Sequence, residues 1–192
     1  MWELFPSKIK YTLSVIAMVF LFLFFNNLIG LSFFSSISST VTILTFISWL
    51  FGKYLWKYVY IDFFKNKFCP DFNGEWVGNI ESNFNGGTSV EFPISIEADF
   101  FSIKMKAKTT IGRTYGNYCR VLRAEDDSFE LEYMFKGYND TPSETDAPFY
   151  EGAARLRVID ISTMEMKGVF WTNRCWHQGR NTAGIIRLTK KS

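Results

Sequence analysis

Arginines and aromatic residues near the ends of the predicted strands are the side chains best suited to binding a ligand. The candidate ligand-binding residues are Arg113, Tyr115, Arg120, Trp171, Arg174 and Arg180. An arginine guanidinium offers phosphate oxygens a planar fork of donors, and aromatic rings offer flat surfaces on which bases stack. These residue types indicate a ligand with phosphates and aromatic bases. The alternative for each residue taken singly is an ordinary solvated side chain on the rim.

Residues for catalysis or metal binding are scarce. The sequence has one histidine, His177, and three cysteines, Cys69, Cys119 and Cys175. It lacks the Gly-x-Ser-x-Gly, His-Glu-x-x-His, P-loop and paired-cysteine motifs. The cysteines do not have the spacing of metal ligands, and in a reducing cytoplasm we expect free thiols. The sequence therefore predicts a protein that is not an enzyme and has no metal site and no cofactor.

A long uncharged stretch lies near the start of this 192-residue chain. Between Lys10 and Lys53, 42 consecutive residues carry no charge. A helix needs about 20 apolar residues to cross the hydrocarbon core of a membrane. The stretch therefore predicts two spans, near Tyr11–Gly30 and Ile37–Tyr58. A secretory signal peptide is excluded because its apolar region is only about 7–15 residues long.

Lysines flank the predicted hairpin on one side only. Lys8 and Lys10 precede the first span, and Lys53 and Lys57 follow or overlap the end of the second. The positive-inside rule then places both termini of this multi-pass membrane protein in the cytoplasm.

Small and hydroxyl residues form a stripe along the second span. They are Ser38, Thr42, Thr45, Ser48 and Gly52, and their spacing of three and four puts them on one helical face. Small residues let helices approach closely in lipid. We expect this stripe to pack against the chain's own first span, and packing against other copies of the chain is the other interpretation.

Residues 69–192 are predicted to form one cytoplasmic domain that follows the hairpin and linker of residues 1–68. This region has 15 Lys and Arg against 17 Asp and Glu. It is close to neutral and lacks the strong positive field of a protein that binds nucleic acid polymers. Any phosphate must therefore be bound by local arginines.

Apolar and polar residues alternate through most of this domain, which is typical of antiparallel strands with one solvated face. Phe129, Leu131, Tyr133 and Phe135, for example, alternate mostly with acids. About eight strands are predicted, near 75–83, 88–98, 100–108, 112–123, 128–136, 149–159, 163–171 and 181–190. Eight short strands with one apolar face predict a small closed up-and-down barrel, because closure removes unpaired edges.

The up-and-down order also predicts where the candidate residues lie. Connections after odd-numbered strands fall at the end of the barrel far from the membrane linker, and Arg174 and Arg180 belong to one of them. Side chains alternate between the two faces of a strand, and this alternation predicts that Arg113 and Tyr115 face the interior of the barrel. Arg120 points outward unless a bulge near Gly116 switches the face.

The segment that opens the first strand carries a family resemblance. Asp71–Gly78 contains a Gly-x-Trp core, with Trp76 placed to plug one end of a barrel, and this core resembles the opening of calycin barrels such as lipocalins and streptavidin. With two preceding spans and a lysine-rich linker, the whole chain resembles the effectors of bacterial CBASS anti-phage systems that combine two transmembrane helices with a β-barrel, a CD-NTase-associated family.

This resemblance implies a function. In such systems a partner CD-NTase makes a cyclic nucleotide, most often a cyclic dinucleotide, when a phage infects the cell. The barrel binds the nucleotide, the protein forms homo-oligomers in the lipid bilayer of the inner membrane, and the infected cell dies by membrane disruption. The resemblance supplies no signature for the ligand site. Two alternatives stay open: a tethered, lipocalin-like barrel that carries a lipid or another apolar ligand, and a structural membrane protein whose barrel only mediates self-association.

Overall fold

The structure, a computed structural model, describes residues 2–60, 69–83, 87–109, 112–142 and 146–191. The second half of the predicted linker, residues 61–68, lies outside the described residues. So do parts of three predicted loops, at residues 84–86, 110–111 and 143–145.

Two long apolar helices form the N-terminal part, α1 (Ser7–Leu28) and α2 (Phe33–Val59). Both are long and apolar enough to cross a membrane, and both begin four residues earlier than the predicted spans. The start of α2 is explained by Ser32, whose hydroxyl caps the helix by accepting the N–H of Ser35 at 3.5 Å. Each helix ends in or contains a π-helical turn, at Phe24–Leu28 and Phe51–Leu55.

The expectation that the hydroxyl stripe of α2 packs against α1 is wrong for most of its members. Ser38, Thr42, Thr45 and Ser48 are exposed. The side chains buried in α2 near its start are Ser36 and Thr40, which lie on a different face of the helix. The spacing of these residues does place them along one side of the helix, but that side does not pack against α1. An apolar helix can pack against an apolar neighbour through any of several faces.

The C-terminal part is a closed antiparallel barrel of eight strands in sequential order, with β1 paired to β8. This confirms the predicted fold. The strands are β1 (Gly74–Ser82), β2 (Thr88–Ala98), β3 (Ile103–Lys108), β4 (Gly112–Arg123), β5 (Phe129–Asn139), β6 (Phe149–Asp160), β7 (Glu165–Thr172) and β8 (Ala183–Lys190).

Alternation along the strands builds the core. In β5 the side chains of Phe129, Leu131, Tyr133 and Phe135 are buried inside the barrel. The intervening Glu132 lies outside, where it accepts hydrogen bonds from arginines of both neighbouring strands. Apolar burial on one face and ion pairs on the other thus favour one register of the sheet.

Trp76 lies at the end of the barrel where the chain enters. Its side chain is fully buried, and its Nε1 donates to the carbonyl oxygen of Phe72 at 2.9 Å. The same end of the barrel faces the helices, because the N–H of Phe100, between β2 and β3, donates to the carbonyl oxygen of Gly52 in α2. The ends of β1, β3 and β7 therefore lie at the far end of the barrel.

A β-bulge in β4 changes which residues face the interior. The register with β5 shifts between Gly116 and Tyr118, which leaves one extra residue in β4. Cys119 therefore keeps its inward position, whereas Arg113 and Tyr115, on the other side of the bulge, point outward. The prediction that Arg113 and Tyr115 face inward is wrong, because a single extra residue reverses strand parity.

Candidate functional site

The far end of the barrel contains a cavity of about 300 Å³. Its walls are largely apolar and come from all eight strands. They include Ile80, Val90, Phe92, Ile94, Met105, Ala107, Phe135, Phe170 and Ile186. Apolar walls with a few placed polar groups are the usual composition of a small-molecule site.

Hydroxyl groups line the cavity where the strands end. They belong to Ser82, Thr109, Thr114, Thr172 and Thr182. The Oγ1 atoms of Thr172 and Thr182 lie 2.7 Å apart, and both side chains are buried. A threonine hydroxyl can donate and accept, so this rim can bind either phosphate oxygens or the polar edge of a base.

Arg174 is the cation of the cavity mouth. It follows β7, and its N–H donates to Oγ1 of Thr172 at 3.3 Å. Its guanidinium carbon lies 5.2 Å from the centre of the Tyr150 ring, which also lines the cavity. The other basic residue lining the cavity among the described residues is Lys106, whose ammonium group forms an exposed ion pair with Glu97.

The guanidinium of Arg174 is held by Asp146. Arg174 Nε donates to one carboxylate oxygen of Asp146 at 2.6 Å, and Nη2 donates to the other. Asp146 also accepts from the side-chain amide of Asn139 at 2.6 Å. The hydrogen bond from Arg174 lowers the pKa of Asp146, and the same bond raises the pKa of Arg174, so both groups are charged at neutral pH.

The structure brings only one of the six predicted residues to the cavity. Arg174 lies at the mouth, whereas the other five are on the barrel exterior or in an exposed loop: Arg113, Tyr115, Arg120, Trp171 and Arg180. Arg113 forms an exposed ion pair with Asp140, and Arg120 forms one with Glu132.

Several cavity residues lie outside the six candidates named from the sequence. Tyr150 has the same parity as the buried Ala154 and Leu156 in β6, and Thr172 has the same parity as Phe170 in β7. Parity could therefore have identified both. No local signal marks Asp146, because it lies in a long loop 28 residues from the arginine that it binds.

This arrangement suits an anionic ligand with apolar or aromatic parts. An arginine with two donors beside hydroxyl groups can bind a phosphate, and the apolar cavity can bind flat rings.

Residues 67–190 match the family described as Cap15, cyclic dinucleotide receptor domain. The chain belongs to the Cap15 family. The Cap15 match ends at Lys190, the last residue of β8, and so includes the whole barrel. The chain is also 69% identical over 191 residues to "CD-NTase-associated protein 15" of Escherichia albertii, which covers 100% of this chain and 98% of the relative. Both findings confirm the family resemblance seen in the sequence.

Proposed function

We propose that this chain is the membrane effector of a CBASS anti-phage system and that its barrel binds a cyclic dinucleotide made by a partner CD-NTase. The observation that carries the proposal is the bidentate Arg174 at the mouth of an apolar cavity, in a barrel of the Cap15 family. The E. albertii relative bears a name that associates it with a CD-NTase, which supports the same source for the ligand.

Each part of the cavity suits a different part of such a ligand. A phosphate is proposed to bind the guanidinium of Arg174 and the hydroxyls near Thr172, while a base packs against the apolar walls. Asp146 already holds Arg174, so the phosphate must share this arginine with the carboxylate or displace it. No step of this binding requires a cofactor or a reaction catalysed by the chain, and we propose that the protein is not an enzyme.

The hairpin is proposed to span the inner membrane twice, with both termini in the cytoplasm. At the end of the hairpin next to the barrel, Lys10 lies over Trp2, with Nζ 5.4 Å from the ring centre, and Lys53 lies over Trp49 at 5.7 Å. Lysines and aromatic rings are typical of a cytoplasmic membrane interface. On this reading residues 1–68 anchor the protein and residues 69–192 form the cytosolic receptor, with the cavity mouth facing away from the bilayer.

Assembly into homo-oligomers that disrupt the membrane, and cell death from that damage, complete the proposal. Support comes from the hydroxyl stripe of α2, since Ser38, Thr42, Thr45 and Ser48 are exposed in the single chain. Such residues allow close helix packing in lipid, so a second copy is a suitable partner for this face. A ligand can drive assembly only if it binds the assembled state more tightly.

Two measurements test the proposal. The full chain in lipid nanodiscs is titrated by calorimetry with a panel of 3′,3′-linked and 2′,3′-linked cyclic dinucleotides that covers every pair of the four bases. Induced cells are then followed with a membrane-impermeant dye, with and without a co-expressed CD-NTase. We expect the chain to bind at least one panel member and the dye to enter only with the enzyme. A well-folded chain that binds no member contradicts the proposal.

The apolar walls of the cavity favour one second candidate, a tethered barrel that carries a lipid or another apolar ligand. Native mass spectrometry of the chain extracted from cells separates the two candidates. A co-purified lipid that no cyclic dinucleotide displaces supports the second.

A further inference from the structure

The connection between β2 and β3, residues Asp99–Ser102, contacts both the segment before α1 and the second half of α2. We call it the β2–β3 turn. The N–H of Phe100 donates to the carbonyl oxygen of Gly52 at 3.1 Å, and the carbonyl oxygen of Phe100 accepts the N–H of Trp2 at 2.9 Å. One residue of the barrel thus links the start of the chain to the end of α2.

Aromatic contacts surround these two hydrogen bonds. The ring of Phe100 lies 5.9 Å from that of Trp2, 6.1 Å from that of Phe5 and 5.4 Å from that of Phe51, measured between ring centres. The neighbouring ring of Phe101 covers Gly52 so closely that a Cβ on Gly52 would lie 1.9 Å from its nearest carbon. With any larger residue at position 52, the Phe101 ring must move from this position.

Hydrogen bonds fix the shape of the turn, and the turn contacts an irregular part of α2. The carboxylate of Asp99 accepts the N–H groups of Phe101 at 2.8 Å and Ser102 at 2.7 Å, which fixes the shape of the turn. Gly52 lies in the π-helical turn Phe51–Leu55, a local departure from α-helical hydrogen bonding that often marks a functional position.

The same two strands form part of the cavity wall. Ile94 of β2 and Met105 of β3 line the cavity and lie only a few residues before and after the turn. At about 3.4 Å per residue, Met105 is about 10 Å from Ser102 along the strand. A change in packing at these side chains therefore acts on the turn through a short, hydrogen-bonded hairpin.

The β2–β3 hairpin is weakly held on its other side. Within the described ranges, β3 pairs with β4 only through Lys106–Lys108, whereas β4 pairs with β5 along its whole length. The β4 bulge lies where pairing between β3 and β4 stops, and there Cys119 takes a hydrogen bond from the backbone of Met105. A short ladder next to a bulge permits this hairpin to shift more easily than the other strands of the barrel.

From this geometry we propose that the β2–β3 turn transmits occupation of the cavity to the membrane hairpin, through its contact with Gly52 and Trp2. The inference rests on the function proposed above and names the structural element that connects the receptor site to the membrane. Coupling through the linker alone is the alternative, and it predicts that the turn can be altered without effect.

Two variants test the contact from opposite sides. Phe101→Ala removes the ring that covers Gly52, and Gly52→Ala adds a methyl group that displaces the ring from this contact. Phe149→Ala is the matched control, since Phe149 is an equally exposed phenylalanine on the outer face of β6, far from the helices. Each full chain is reconstituted in nanodiscs for binding and in dye-loaded liposomes for leakage. The probe is the panel member that the wild-type chain binds most tightly.

We expect Phe101→Ala and Gly52→Ala to bind the probe within about threefold of wild type or more tightly, because allosteric coupling is reciprocal. The ratio of leakage with probe to leakage without it is expected to fall at least tenfold in both, and to stay unchanged in Phe149→Ala. The double variant is expected to match the single ones, since both remove the same contact.

Folded variants that leak in response to the probe as wild type does overturn the inference and leave the proposed function intact. A wild-type chain that binds no panel member overturns the proposed function, and the inference with it.

Discussion

In the proposed complex, Asp146 and the bound phosphate compete for the guanidinium of Arg174, so removal of the Asp146 charge is predicted to strengthen binding. Asp146→Asn removes a carboxylate that holds Arg174 through two hydrogen bonds. The substitution keeps the size of the side chain and an oxygen that can accept from Arg174. The variant is therefore expected to bind a cyclic dinucleotide more tightly than the wild-type chain, although it removes an ion pair from the site.

The size of the effect follows from Coulomb's law. A carboxylate about 6 Å from a phosphate, at an effective dielectric constant of about 20, raises the energy of the complex by about 3 kcal/mol. Water at the open mouth screens about half of this energy. The remaining gain of about 1.4 kcal/mol corresponds to an affinity about tenfold higher.

Calorimetry on the full chain in nanodiscs measures this change, with Asp140→Asn as the matched control. Asp140 is also paired with an arginine, Arg113, but on the exposed exterior of the barrel. The control is expected to leave the affinity unchanged. Weaker binding by folded Asp146→Asn protein would show that the carboxylate positions Arg174 for the ligand, and it would refute the competition argument.

Three further predictions concern the rest of the barrel. Arg113→Ala, on the exterior, is expected to leave the affinity for the probe within about twofold of wild type by calorimetry, and a larger loss would mean that ligand reaches the outer face. Trp76→Ala is expected to lower the free energy of unfolding by about 3–5 kcal/mol in urea titrations, because it empties the largest fully buried site of the barrel. Burial opposes the charge of Glu132, but hydrogen bonds from two arginines outweigh it and lower its pKa. Such a lowered pKa stabilises the folded state above about pH 4, and the contribution is lost as the pH falls through the folded pKa. Glu132→Gln should therefore lower the melting temperature at pH 7 and have little effect in strong acid.

Local patterns in the sequence were sufficient for the fold. The uncharged stretch between Lys10 and Lys53 predicted two helices, and alternation predicted eight strands, because burial of one helix or sheet face is repeated at a fixed period. The bounds were less accurate where a local interaction decided them. Ser32 starts α2 earlier than hydropathy indicates, and the contact of Phe100 with the helices delays the start of β3.

The candidate site was less predictable for two physical reasons. One extra residue after Gly116 reverses the facing of Arg113 and Tyr115. The sequence indicated Gly116 as a possible site for a bulge, but it did not indicate which side of the bulge would face outward. Asp146 meets Arg174 because β6 pairs with β7, which brings the loop before β6 next to the loop after β7, and a contact between two loops leaves no periodic trace in a single sequence. Arg174 follows an odd-numbered strand, so the predicted strand order was enough to place it at the end of the barrel that contains the cavity.

The charge distribution of the site constrains how ligand selectivity arises. The apolar cavity walls favour any flat ring and therefore discriminate weakly between bases. Discrimination comes from hydrogen bonds, because a base whose polar edge stays unpaired in the cavity binds less tightly than one whose edge is paired. The groups that can pair such an edge are the hydroxyls near the strand ends, such as Thr114 and Thr182, and the phenol of Tyr133. Arg174 is proposed to bind the phosphates, which every cyclic dinucleotide shares. Affinity is therefore expected to depend mainly on the arginine and the apolar walls, and the choice between nucleotides on these hydroxyl groups.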